Sequence, residues 1–181
     1  KEIAENAGMN PKMFNSFITG DKSSIEMAAV VNASHLNFPK HGLNYPPVGV
    51  NDISKTLIPK NKGGILENPY EVVVISSINT KKENIRDNLR WGVFVVIAAK
   101  NSYVKDCFGQ YGIITDPSGK YSTLWRPYHY IGLELAYSIY SIALQKEPTG
   151  YTKFYKADVA TFAKKKTNER RTIRWGRWFY S

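Results

Sequence analysis

The chain has 181 residues, 43% hydrophobic and 13% aromatic with four Trp, so it is long and apolar enough to fold around one good core and is not a disordered chain. Its formal charge of +10 invites a polyanion, but the last 18 residues, seven of them Lys or Arg against one Glu, carry +6 of it and leave the body near +4, which weakens the case for nucleic acid as a partner. A single cysteine excludes an internal disulfide and a cysteine-built zinc site, and the longest apolar run, Gly92–Ala99, is far too short to cross a bilayer, so a reducing, cytoplasmic setting with no membrane partner is expected.

The opening KEIAENAG reads as the last turns of a helix stopped by Gly8. It has no initiator Met and no N-cap, as expected of a piece cut from a longer protein. MNPKMFNSFITGDK follows as a loop. SSIEMAAVVNASH predicts a helix from about Lys22 to Ser34 with Asp21 as its N-cap, and its shortage of polar positions predicts that it is buried. FPKHGLNYPPVGV is a Pro/Gly-rich loop, and a weaker helix or irregular stretch after it ends at NKGG.

Tyr70–Ile78, YEVVVISSI, is β-branched and predicts a strand. LRWGVFVVIAA predicts a second strand, apolar at consecutive positions and therefore central and covered on both faces. SYVKDCFGQYG is a short helix and DPSG a turn. WRPYH precedes a long amphipathic helix, YIGLELAYSIYSIALQ, ended by Pro148 and Gly150, and DVATFAKK is one more helical piece. The order predicts an α+β fold: a mixed sheet with central apolar strands covered by helices.

Two constellations carry chemistry. Lys22 and Glu26 are spaced i,i+4 at a helix start and share one face; they are either a surface ion pair or a catalytic Lys and carboxylate at the mouth of a site. WRPYHYIGLE places Arg126, Tyr128, His129 and Glu134 close together. Arg offers a fork for phosphate or carboxylate, and His serves as acid or base near neutral pH. His35 and His41 are isolated without metal-ligand spacing, Arg86, Asp87 and Arg90 read as anchors of a strand end, and Cys107 as packing. No Gly-rich dinucleotide turn, P-loop or nucleophile elbow occurs.

GDKSSIEMAAVVNAS, FPKHGL, NLRWGVFVV and above all WRPYHYIGLELAYSIYSIAL followed by EPTG resemble the catalytic part of a family described as predicted homoserine dehydrogenases, which includes the 1-deoxy-D-xylulose 5-phosphate reductoisomerase-like enzymes. The resemblance covers roughly residues 1–166. It implies NAD(P) dependence in the full-length parent, with the cofactor held by an N-terminal Rossmann domain absent from this chain, and a small C-terminal SAF-type domain. It also implies a role in isoprenoid precursor synthesis for some members and a hydroxy-carbonyl or sugar-phosphate substrate. The family's Asp-Gly-Ser/Thr-Lys run falls on Thr19, Gly20, Asp21 and Lys22, so Lys22 and Glu26 match while Thr19 stands where the family has Asp. By the resemblance Lys22, Glu26 and His129 are catalytic, and Arg126, Tyr128 and Glu134 bind substrate; metal use is left open.

On this reading residues 1–163 form the catalytic domain, expected to be inactive alone and open to homo-oligomerisation where its missing neighbours packed. Residues 164–181 form an aberrant, frayed basic tail. ERRTIRWGRWF can be written in codons whose neighbouring frame spells Lys-Glu-Glu-Gln-Leu-Asp-Gly-Glu-Gly-Gly-Phe, a stretch typical of the family's C-terminal domain, and Lys164–Lys166 would mark an A tract prone to slippage. Two alternatives stand beside this: a homoserine dehydrogenase-like enzyme, and a non-enzymatic module binding nucleic acid through its tail.

Overall fold

A computed structural model describes residues 2–18, 21–130 and 132–158. They fall into two compact units, one built from the chain up to Leu43 together with the segment from Tyr151, the other from Asn44–Gly150. The class is α+β. The expected tail and the DVATFAKK piece beyond Asp158 lie outside the described residues.

In the first unit, α1 (Glu2–Asn6) ends at Gly8, whose φ of +66° suits a residue without Cβ. The N–H of Met9 closes that end on Ala4 O at 2.8 Å, as in a Schellman cap. The stretch expected as a loop forms α2 (Pro11–Ile18). Its start is chemically sound: Asn10 Oδ1 accepts from Lys12 N at 2.9 Å and Met13 N at 3.3 Å, and Pro11 occupies the first helical position, where no N–H is needed. Helix α3 (Asp21–Ala33) follows, within one residue of its expected span, with Asp21 inside the helix.

The expectation that α3 is buried does not hold. Ala28 and Val31 are buried, but Ile25 and Val30 are exposed. Apolar residues around the whole circumference exceed what the neighbours within this unit cover. At its C-terminal end α3 is joined by a strap formed by residues 153–157. Asn32 holds it: its main-chain O accepts from Lys153 N and Phe154 N, its Oδ1 accepts from Lys156 N and Ala157 N at 2.9 Å each, and its Nδ2 donates to Ala157 O at 2.8 Å. The Phe154 ring lies 4.8 Å from that of His35.

The second unit is organised on a two-stranded antiparallel sheet, β1 (Val93–Ala98) against β2 (Tyr121–Arg126), with Val93 opposite Arg126 and Ala98 opposite Tyr121. Helix α4 (Ile53–Thr56) lies against β2. Val48, Val50, Ile53, Leu57 and Leu89 form the core, with Phe94, Val96 and Ile114 packed on it. Phe94 and Val96 share one pleat face; on the other, Val93 and Val95 are 45% and 51% exposed. The sheet is therefore antiparallel and one-sided, not mixed, and the apolar run of β1 reflects an uncovered face and not burial on both sides.

Tyr70–Ile78 contributes no ladder. It makes two isolated bridges, Pro47 to Ser76 and Ile78 to Asn84. Ser76 N donates to Pro46 O at 2.9 Å, but two consecutive prolines have no N–H to donate back, so pairing cannot propagate. Tyr70 itself sits at φ +63°, which ends any extended run on that side.

After β1, Asn101 caps α5 (Ser102–Gln110) through Val104 N at 2.9 Å. The expected DPSG turn then feeds β2, with Asp116 as its anchor: Oδ1 accepts from Tyr121 N at 2.8 Å and Oδ2 from Ser118 N at 3.0 Å and Ser118 Oγ at 2.6 Å. The long helix expected after the Arg-Pro-Tyr-His segment is α6 (Leu135–Tyr140), continued by a π-helical turn over Ser141–Gln145 and closed by Lys146 at φ +61°. It carries no buried residue. Its expected apolar stripe faces solvent.

Candidate functional site

Arg126 is the last residue of β2, so the sheet fixes its main chain. On the strand leading in, Gly92 passes so close that a Cβ there would lie 2.2 Å from Arg126 O. At Pro127, whose ring fixes φ, the chain bends. Beyond it the rings of Tyr128 and Tyr130 stack at 5.4 Å with 3° between planes. The Arg126 guanidinium carbon sits 4.8 Å from the centre of the Tyr128 ring, a cation–π contact.

Gly132, at φ +92°, turns the chain back, and Glu134 at the head of α6 returns to the same place. One oxygen of Glu134, Oε1, is ion-paired with Arg126 Nη2. The other, Oε2, lies 2.9 Å from His129 Nδ1. The carboxylate is 20% exposed while the Arg126 and His129 side chains are 41% and 46% exposed. A set-back acid thus holds two bases that face outward.

The structure therefore brings together four of the six expected residues: Arg126, Tyr128, His129 and Glu134. Lys22 and Glu26 stand one helical turn apart at the start of α3, in the first unit, Lys22 half-buried and Glu26 exposed. Tyr130 was not among the expected residues; the Tyr-x-Tyr spacing beside a proline is the signal that identifies it. Arg90, read as an anchor, donates to Ser77 Oγ at 3.2 Å and to Asn84 Oδ1 at 2.9 Å. Asp87 accepts from Asn51 Nδ2 at 3.0 Å.

Asp116 has a displaced pKa. Burial pushes its carboxyl up, and the hydrogen bonds from the Ser118 hydroxyl and from the main-chain N–H groups of the turn outweigh that, so it titrates below the ordinary aspartate value. This is a turn anchor and stands apart from the Arg126 cluster in sequence and bonding. Among the described residues no group of three His, Cys, Asp or Glu is placed to hold a metal ion. A groove of about 450 Å³ beside α6, lined by Tyr137, Tyr140 and Leu144 among others, includes none of the four clustered residues.

A dinucleotide pyrophosphate needs a glycine turn between a strand and a helix N-terminus. Between β1 and α5 the chain reads Ala-Lys-Asn, and the Asn101 side chain already occupies the helix N-terminus. That connection does not fit the group.

The model of the family described as oxidoreductase DRL, catalytic domain, matches residues 1–135. The chain belongs to this family. The matched span takes in Lys22, Glu26 and the whole Arg126–Glu134 cluster and ends at the first residue of α6. No curated protein matches the chain. Membership in the DRL catalytic-domain family makes an oxidoreductase the relevant chemistry, and no helix among the described residues is long and apolar enough to cross a membrane.

Proposed function

We propose that this catalytic domain handles the substrate of an NAD(P)-dependent, reductoisomerase-like oxidoreductase, with a hydroxy-carbonyl or sugar-phosphate compound as substrate. The observation that carries the reading is the shared carboxylate: Glu134 holds Arg126 and His129 side by side at the surface, next to a stacked tyrosine pair, inside the matched span. A guanidinium with N–H groups left facing outward suits the anionic end of such a substrate. His129, adjacent to it, is a proton donor or acceptor of suitable strength. Tyr128 adds an apolar face and a hydroxyl for the carbon skeleton and its oxygens.

Lys22 and Glu26 complete the reading as the groups that move protons on the substrate carbonyl and hydroxyl. The dinucleotide is assigned to the nucleotide domain of the parent protein. An SAF-type C-terminal domain and a place in isoprenoid precursor synthesis belong to the same proposal.

The test is a substrate panel run on the parent protein, followed by Arg126→Ala on the best substrate. Loss of a charge-assisted contact of about 1.5–3 kcal/mol raises KM by roughly 10- to 150-fold with a smaller change in kcat. An unchanged KM for every anionic substrate in the panel would remove Arg126 from the site.

A further inference from the structure

We infer that Glu134 is a positioning residue that fixes His129 in the tautomer carrying its proton on Nδ1, which leaves Nε2 as the nitrogen with a free lone pair. A neutral imidazole donates through one nitrogen and accepts through the other, and an ionised carboxylate only accepts. Glu134 Oε2 stands 2.9 Å from His129 Nδ1, so the hydrogen bond between them exists only with the proton on Nδ1. The second oxygen of the carboxylate, Oε1, is ion-paired with the guanidinium of Arg126. Both oxygens of Glu134 are engaged inside the protein. Its action runs through its two partners.

The chain path makes this arrangement specific. Glu134 returns to His129 after five residues and to Arg126 after eight, across the bend at Pro127 and the turn at Gly132, whose φ is +92°. The acid is the less exposed member, 20% against 46% for His129, so it anchors the ring from behind. Free imidazole side chains in water favour the opposite tautomer, with the proton on Nε2. The neighbouring carboxylate reverses that preference, as hydrogen-bonded partners do for other functional histidines.

In chemical terms, a substrate hydroxyl meeting His129 gives its proton to Nε2. The O–H bond breaks, an Nε2–H bond forms, and the resulting imidazolium keeps Glu134 as counter-ion. No electrons leave the ring. This deepens the proposed function and rests on His129 meeting the substrate, but the tautomer itself is measured without substrate.

The experiment is ¹⁵N NMR of the ring nitrogens in the full chain labelled at histidine, at a pH well above imidazole titration. The chain has three histidines, and His129→Gln identifies the signals of the third. The expected wild-type result is a protonated Nδ1 and an unprotonated Nε2 for His129. Glu134→Ala is expected to move the proton to Nε2, and Glu134→Asp to restore the Nδ1–H form in part. A wild-type His129 whose neutral form carries its proton on Nε2 overturns the inference, and that reading needs no variant to fold. If the Nδ1–H form is found but His129→Gln in the parent enzyme turns over at the wild-type rate, the tautomer stands and the functional reading falls.

Discussion

At the scale of single residues, the strongest physical statements concern carboxylates and what they accept. Asp116 collects N–H and O–H groups from Ser118 and Tyr121 and titrates below the ordinary value as a result. Asp116→Asn keeps the shape and removes the charge, and is expected to destabilise the fold by about 1–3 kcal/mol in urea unfolding at pH 7. The sign with pH follows from linkage. A carboxyl whose folded pKa is depressed contributes its stability above the unfolded value, near 3.8, and loses it as pH falls through the folded value. The difference between wild type and Asp116→Asn should therefore shrink as the pH is lowered through and below 3.8; a constant difference would show that the charge does not matter. The sequence shows this turn as DPSG but not that its first residue is the anchor, because the partners in β2 are supplied by folding. Arg126, Tyr128 and His129 were legible in the same way: their proximity lies in four consecutive positions, and the return of Glu134 rests on one glycine.

At the scale of elements, two substitutions separate what holds the site from what merely surrounds it. Gly92→Ala drives a methyl to 2.2 Å from the carbonyl of Arg126, so β1 and β2 must part at the end that carries the cluster. Overpacking of this kind costs about 1–3 kcal/mol. The expected outcome is a lowered Tm together with weakened His129 Nδ1–H signals, whereas a lowered Tm alone would place the strain elsewhere. Asn32→Ala tests the strap. Amide exchange at Lys156 and Ala157 should accelerate, because their acceptor is the lost Oδ1, while Lys153 and Phe154, bound to the main-chain oxygen of residue 32, keep their protection. Equal acceleration at all four would mean that the whole strap is released.

The same scale shows where reading the chain succeeds. The helix at 21–33 and the strand at 93–98 follow from composition within a narrow window. Helix α2 was signalled by Asn10 followed by Pro11, a cap and a first-turn proline, but its polar residues resemble a loop. Tyr70–Ile78 has strand composition, yet its partner presents two prolines, and no propensity of its own can supply the missing donors. Strand β2, YSTLWR, was hidden because its pairing lies across a turn and a helix from β1.

At the scale of the whole molecule, the two units each carry part of the expected chemistry: Lys22 and Glu26 on α3, and the Arg126 cluster at the end of the sheet. The apolar residues of β1, α6 and the π-helical turn after it that face solvent, Val93, Val95, Leu135, Ile139 and Ile142, explain why patterning overstated the covered sheet. Hydropathy records that a surface avoids water; it does not record what covers it. The family match spans both sets of residues. On the proposed function, Lys22→Ala is expected to lower kcat by roughly 10²- to 10⁴-fold, the usual loss when a proton-transfer group is removed. A steady-state assay in which that variant keeps its wild-type kcat would confine the chemistry to the Arg126 cluster.

The most direct measurement is the effect of His129→Gln on turnover at saturating substrate, followed by the disappearance of the substrate that the panel identifies. The account predicts a fall in kcat of about 10²-fold or more, as for loss of a general acid–base group. Turnover equal to wild type would contradict it.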